Sequence, residues 1–240
     1  MQISTLIFAL VGLLALPLSA QYHSPFSISA GAYLSIGSWS RESDYGPDAA
    51  KQLPSLEDGP GVQVAGRWLP MGKSLGVSVM VGFQPAPAAV GDMYDRLAQV
   101  RHEAVSNAGS DWWLLGGPTL LLREGPNGDR VFFNLLGGYR QVRMEDITET
   151  FISLSDLKYR ENLYRFTGEG GWMIMPGICA EAPLFGPVSL QVSANYTYAE
   201  VKQRVERLNV FGPTRPSVYP QQLTLRQHAF FGTLGFTVEL

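Results

Sequence analysis

The chain has 240 residues, enough for one domain, and its net charge of −3 leaves no basic excess, so we expect no nucleic-acid partner. Charged residues make up only 16% of the chain, against roughly 25% in average globular proteins. The chain has 26 glycines among its 240 residues, which is a larger share than the usual one of about 7%. This composition favours a β-rich protein in an apolar solvent over a soluble helical protein.

The first twenty residues have the pattern of a secretory signal. Residues 6–16 are almost all apolar, and small residues precede the expected cleavage site after Ala20. The predicted mature chain is therefore 21–240, a single barrel domain. The alternative is an uncleaved anchor helix, although the apolar run is short for a span of about 20 residues. No later segment is long and apolar enough to predict a transmembrane helix.

Eight segments of the mature chain alternate apolar side chains with small or polar ones. A period of two residues predicts strands that each have one apolar face. In the last segment, bulky apolar residues occupy the even positions from Phe230 onward, except at Gly232. Most of the segments are about as long as a tilted membrane strand of roughly 9–11 residues. They cover 26–36, 62–68, 75–83, 112–123, 131–139, 166–184, 188–198 and 223–240.

The connectors between these segments alternate in length. Short turns rich in Gly and Pro lie at 69–74, 124–129 and 185–187. Long polar connectors lie at 38–61, 84–111, 142–165 and 199–222. This alternation predicts an up-and-down antiparallel barrel with turns at one end and loops at the other, as in bacterial outer-membrane barrels.

One long connector shows a second periodicity. Within 92–105, Met93, Leu97, Val100 and Ala104 recur at helical spacing. This spacing predicts a short surface helix, and the alternative is a disordered loop tip.

The composition of the two strand faces decides whether the apolar face points outward. A soluble lipocalin-type barrel would be apolar inside and would carry more Lys and Glu outside. Here the face opposite the apolar one, which we call the lean face, is rich in the small or polar residues Gly, Ala, Ser, Thr and Asn. Small side chains fit the narrow interior of an eight-stranded barrel. Aromatic residues near the segment ends fit interfacial girdles. We therefore predict an eight-stranded transmembrane barrel with its even-numbered face toward lipid in the last strand.

Two pairs of residues conflict with a simple strand pattern. Pro118 and Pro176 fall inside predicted strands of a closed barrel, and each has a neighbouring glycine, so we expect β-bulges there. Arg226 and His228 share the lipid-facing parity of the last strand. Either both lie above the membrane at the loop end, which we favour, or a bulge shifts the register below them.

The whole mature pattern resembles the small outer-membrane β-barrels of Gram-negative bacteria, of the OmpA/OmpX type. The C-terminal residues are similar to the assembly signal of that family, through Thr233, Gly235, Val238 and Leu240. Leu240 departs from the usual final aromatic residue, and the alternative is an ordinary terminal strand. The resemblance implies location in the bacterial outer membrane. It also implies outer-membrane lipid, lipopolysaccharide and the barrel assembly machinery as partners.

A few charged residues lie on the lean face. Following strand direction, Arg67, Arg123 and Glu181 fall near the turn end, and Arg140 and Glu169 fall near the loop end of adjacent strands. Charges inside a narrow barrel should be paired, because an isolated buried charge is strongly destabilising. We therefore predict that these charges pair with one another and form an internal ion-pair plug. The alternative is a gate or proton path.

The residues give little indication of catalysis. Barrel enzymes need a histidine close to a serine or aspartate at the loop end, whereas His23, His102 and His228 lack such neighbours in a recognisable pattern. Cys179 is the only cysteine, and no His or Cys cluster has metal-binding spacing. We expect no cofactor, no metal and no catalytic residue.

Three functions remain open from the sequence. The first is a structural or surface-interaction barrel whose loops contact a ligand that the sequence does not identify. The second is a narrow OmpW-like channel for small or apolar solutes. The third, which the histidine pattern disfavours, is a lipid-modifying barrel enzyme.

Overall fold

The computed structural model describes residues 24–43, 59–86, 93–95, 100–106, 109–144, 146–153, 158–210 and 217–240. The predicted signal peptide and the predicted cleavage site after Ala20 lie outside these residues. Within them, no helix is long and apolar enough to cross a membrane. The strands are β1 (Phe26–Ser43), β2 (Pro60–Trp68), β3 (Leu75–Ala86), β4 (Met93–Asp95), β5 (Val100–Ser106), β6 (Gly109–Glu124), β7 (Arg130–Arg143), β8 (Ile147–Ser153), β9 (Lys158–Phe185), β10 (Val188–Val210) and β11 (Ser217–Glu239).

Eight of these strands form a closed antiparallel barrel. The ring runs β1–β2–β3–β6–β7–β9–β10–β11 and closes where β11 pairs with β1. The closing ladder extends from Ser27 opposite Glu239 to Ser43 opposite Leu223. The eight predicted strands and the three short turns are thereby confirmed.

The strands continue far into segments that the sequence predicted as loops. β5 pairs with β8, β8 pairs with β9, and the β9–β10 ladder reaches Val210 opposite Glu161. The predicted surface helix within 92–105 is wrong, because 93–95 and 100–106 are strands that pair with each other. Pairing with neighbouring strands outweighs a helical spacing of only four residues.

The outer face of the barrel is an apolar band. On β11, Phe230 is 67% exposed, and Leu234, Phe236 and Leu240 are exposed below it. At about 3.3 Å per residue and a tilt of about 40°, the interval from Phe230 to Leu240 rises roughly 25 Å, the height of a membrane-spanning band. Exposed aromatic residues ring its loop end, and we call this ring the loop-side girdle: Trp112, Tyr139, Trp172, Tyr196 and Phe230.

Above the loop-side girdle the apolar residues move to the inner face of the same strands. On β10, Val201 and Val205 are buried, whereas Lys202 and Arg204 are exposed. We call the strand segments beyond the girdle the loop-side extension. Its inner face is apolar and its outer face is polar, which is the pattern of a sheet in water.

Arg226 and His228 lie at the lower border of this extension. The β10–β11 and β1–β11 ladders pass both residues without a register shift, so a bulge is excluded. Outside the barrel, Arg226 Nη1 donates to Glu42 Oε1 at 2.7 Å and Nε donates to Glu200 Oε2 at 2.9 Å. These hydrogen bonds raise the pKa of the Arg226 guanidinium above its usual range.

The expected bulges at Pro118 and Pro176 are wrong. The β6–β7 ladder skips Gly117 and Pro118 and resumes in the same register, while Pro118 stays opposite Val77 of β3. Pro176 likewise stays opposite Leu135 of β7, and only its ladder with β10 is interrupted. Each proline lacks an N–H on one side only, so one ladder loses a bond and neither loses register.

Candidate functional site in the barrel lumen

Charged side chains cross the lumen near the turns and form what we call the turn-side network. Arg67 Nη1 donates to Glu181 Oε1 at 2.9 Å, and Arg130 pairs with Glu239. Arg130 Nη2 also lies 3.5 Å from Glu181 Oε2. The hydroxyl of Thr237 lies 3.0 Å from Glu181 Oε1. The network thus links strands β2, β7, β9 and β11 across the interior.

A second buried ion pair lies nearer the loops. Arg140 is 0% exposed, its Nε donates to Asp111 Oδ1 at 2.9 Å, and its Nη2 pairs with Asp111 Oδ2. Its Nη1 donates to Gln227. The guanidinium also lies 4.8 Å from the ring centroid of Trp39, a cation–π distance. We call these residues the Arg140 layer.

An aromatic cluster fills the lumen below the Arg140 layer. The rings of Tyr33, Trp113 and Phe231 contact one another at centroid distances of 5.1 to 5.8 Å. All three side chains are buried, and Leu136 and Met173 belong to the same cluster. We call this cluster the aromatic plug. The sequence predicted a lean, hydrogen-bonding interior, so this apolar level is a correction.

The order of the levels can be followed along β7. From the turn end, its inward residues include Arg130 in the turn-side network, Phe132 against that network, Asn134, Leu136 in the aromatic plug, and Arg140. Asn134 Oδ1 accepts a hydrogen bond of 2.8 Å from Thr119, so a neutral polar level separates the turn-side network from the plug.

Above Arg140, a further apolar cluster fills the loop-side extension, and we call it the extension core. It comprises Val142, Met144, Tyr164, Phe166, Val201, Val205, Leu223 and Leu225.

The predicted lumen charges divide into those that meet and those that do not. Arg67 and Glu181 lie together, but Arg140 pairs with Asp111 and not with Glu169. Arg123 and Glu169 are exposed, and their placement in the lumen is wrong. A register shift after Leu121 displaces Arg123, and another opposite Lys202 and Gln203 displaces Glu169. A bulge reverses the face on which the following side chains lie.

Sequence reasoning missed several partners in the lumen. Asp111 falls in a predicted loop, and Arg130 and Glu239 were not among the predicted lumen charges. Parity alone could have found two of them, because Arg130 shares its face with Arg140 and Glu239 shares its face with Thr237. Asp111 gave no comparable signal, because both faces of the strand beside it are apolar.

The four residues of the predicted assembly signal lie on the last strand at different depths. Thr233 is buried in the lumen, and Leu240 is exposed at the turn end. A Cβ at Gly235 would collide with the carbonyl oxygen of Ala30, so close pairing with β1 requires glycine there. Val238 lies opposite Ile28.

The described parts of the chain contain no group of side chains arranged as a metal site, and His228 lies outside the lumen. A hydrogen bond of 2.7 Å joins the Tyr196 hydroxyl to His228 Nδ1 on the outer face, away from the lumen. Within those same residues, no group of three His, Cys, Asp or Glu side chains could hold a metal ion.

The sequence matches no protein-family model and no curated protein. Among solved structures, the outer membrane protein OprG from Pseudomonas aeruginosa is similar, with a TM-score of 0.51 and 14% identity over 92% of this chain and 98% of that chain. The outer membrane protease OmpT from Escherichia coli gives a TM-score of 0.46 and 13% identity, covering 93% and 100%. A major outer membrane protein from Thermus thermophilus gives a TM-score of 0.43 and 17% identity, covering 91% and 100%. The OprG similarity shows the fold: the chain is an outer-membrane-type β-barrel.

Proposed function

We propose that this chain is a non-conducting outer-membrane barrel that holds a surface-interaction platform, the loop-side extension, above the membrane. The observation that carries the proposal is the filled lumen. Trp113 and Arg140 are each 0% exposed and Phe231 is 1% exposed. An eight-stranded interior is only wide enough for side chains, and here large ones occupy successive levels along it. Such packing favours a structural barrel over the channel alternative.

The loop-side extension supports the second half of the proposal. β10 continues fourteen residues beyond Tyr196 of the girdle to Val210, which at the same rise and tilt is roughly 35 Å above the girdle. The extension core packs inside it, so it presents a rigid surface instead of loose loops. A rigid scaffold that positions polar side chains is a common basis of recognition. Outer-leaflet lipid and lipopolysaccharide would surround its base, and the barrel assembly machinery would insert it.

Liposome swelling tests the closed lumen directly. Purified protein is reconstituted into vesicles, and swelling is followed after addition of small sugars, amino acids or short alcohols. We expect the wild type to match protein-free vesicles. Phe231→Ala removes an aromatic plug residue and should raise permeability, whereas Phe230→Ala removes the neighbouring lipid-facing ring and should not.

Either of two results would refute the closed-lumen proposal. One is wild-type swelling well above that of protein-free vesicles. The other is single-channel conductance of the wild type in planar bilayers that is insensitive to the plug substitution. Both would favour the channel. Lipid A profiles that change when the protein is deleted would instead favour the enzyme alternative.

A further inference from the structure

The turn-side mouth of the barrel contains a half-open cavity of about 490 Å³. The connector between β2 and β3 forms one wall, and the starts of β1 and β7 form others. The volume falls in the range of roughly 300–1,000 Å³ typical of small-molecule sites. The turn side of outer-membrane barrels faces the periplasm. The cavity is therefore separate from the loop-side extension, and its role is independent of the function proposed above.

The side chains that line the cavity present mainly positive charge. Arg67, Lys73 and Arg130 contribute cations, and Glu124 is the lining carboxylate. Glu181 and Glu239, which pair with the two arginines, lie behind them and outside the lining. The arginines are thus held by carboxylates, of which Glu181 is buried and Glu239 is half-buried, and they also border the cavity.

Both guanidinium groups are fixed before any ligand arrives. The Arg67 guanidinium lies 3.7 Å from the ring centroid of Phe132, and the Arg67 and Arg130 side chains are only 10% and 11% exposed. Among the described residues, the buried Nε of each arginine has no hydrogen-bond partner. In that part of the chain, Glu181 Oε2 of the same network also has no hydrogen-bond partner, so two buried donors and one buried acceptor there are left without a hydrogen bond. A guanidinium is a planar fork that suits carboxylate and phosphate oxygens.

We propose that this cavity binds a small molecule through a carboxylate or phosphate group held by Arg67 and Arg130. Lys73 lies at the rim and strengthens the attraction of the anion. Leu69, Pro70 and Leu121 line the same cavity and would contact an apolar portion of the ligand. Phe132 keeps Arg67 in place from the lumen side.

Titration of the folded protein in detergent micelles tests the site. The probes are inorganic phosphate, N-acetylalanine and N-acetylalaninamide, and binding is followed through the backbone amide shifts of Gly72 and Lys73 and by calorimetry. We expect saturable binding of at least one of the two anions and none of the neutral amide. Phosphate alone would identify a phosphate site, N-acetylalanine alone a carboxylate site, and both a shared anion site.

Three variants locate the binding. Arg130→Gln should weaken the anion about 10- to 100-fold, because a charge-assisted hydrogen bond is lost. Lys73→Gln should weaken it about two- to fivefold, because its charge is exposed, and this turn substitution leaves the lumen contacts intact. Lys202→Gln, an exposed lysine on the outer face of β10, is the matched control and should change nothing.

The proposal is overturned if neither anion saturates a site on the folded wild type. It is also overturned if the amide binds as well as the acid, or if Lys73→Gln and Lys202→Gln have equal effects. Lys73→Gln decides the case even where Arg130→Gln fails to fold.

Discussion

The Arg140 layer gives the sharpest test of how the lumen is held together. Replacing Arg140 with Met removes the guanidinium but keeps an unbranched apolar stem. Asp111, which is 2% exposed, would then be a buried carboxylate without its cation. Replacing Asp111 with Leu would instead leave the buried Arg140 guanidinium without its carboxylate. The double variant Asp111→Leu/Arg140→Met removes both charges together.

The magnitudes follow from the burial of the pair. Breaking a buried ion pair by removing one partner lowers stability by about 3–5 kcal/mol, whereas replacing both partners with apolar side chains is often neutral or stabilising. We therefore expect each single variant to lose about 3–5 kcal/mol of unfolding free energy and the double variant to lose less than either. The pairwise coupling in this cycle would then be about 3 kcal/mol or more.

Urea unfolding of the barrel in lipid vesicles measures these free energies, with tryptophan fluorescence and gel mobility of unheated samples as two probes. Arg226→Met serves as a control because its pairs with Glu42 and Glu200 lie on the outer surface, and it should have a much smaller effect. Single variants that each lose less than about 1 kcal/mol, or that add without coupling, would refute the reasoning.

Three further predictions test the wall and the interior. Gly117→Ala should destabilise the barrel by about 1–3 kcal/mol, because the added Cβ would collide with the carbonyl oxygen of Leu135. Gly116→Ala should be tolerated, because the atom nearest to its added Cβ is 3.8 Å away. The unfolding midpoints of the two variants compare these effects. Leu234→Arg, at mid-band, should lose about 2–4 kcal/mol, and Ser38→Arg, above the girdle, about 0–1 kcal/mol; equal losses in vesicles would contradict the assigned depth. Cys179 is 1% exposed, so a maleimide reagent should not label the folded barrel. As a control, a Leu240→Cys variant in a Cys179→Ser background should react quickly. Rapid labelling of the folded wild type would show that the lumen opens to the reagent.

The period-2 pattern was enough to predict the barrel because lipid sorts side chains so strictly. Leu34, Val79 and Phe236 must all be outside, and each is. The extension was missed because β10 beyond Ala199 contains Lys202 and Arg204, and charged residues were interpreted as loop. The alternation continues there, with Val201 and Val205 facing inward, but the apolar residues have changed sides. A pattern searched for with one fixed apolar face does not find it.

The ion pairs were harder to predict, for a physical reason. Whether a residue number is odd or even fixes the face of the strand on which its side chain lies. The partners of an ion pair, however, come from strands that are far apart in sequence, so the tilt and stagger of the barrel decide which side chains come into contact. Arg67 and Glu181, both placed near the turn end by strand direction, form an ion pair there. Arg123 and Glu169 failed because single-residue bulges, which carry no strong sequence signature, reversed their faces.

The exchange of apolar faces at the loop-side girdle also limits where the protein can reside. Sliding the barrel by two residues along β11 would carry His228 down to the level of the girdle, with Arg226 directly above it, or lift Phe230 into water. Its vertical position is therefore fixed by the chain itself. A hydrophobic height of roughly 25 Å is shorter than the average hydrocarbon thickness of about 30 Å. The barrel should therefore thin a thicker bilayer around it and partition into the thinner regions of a membrane of mixed composition.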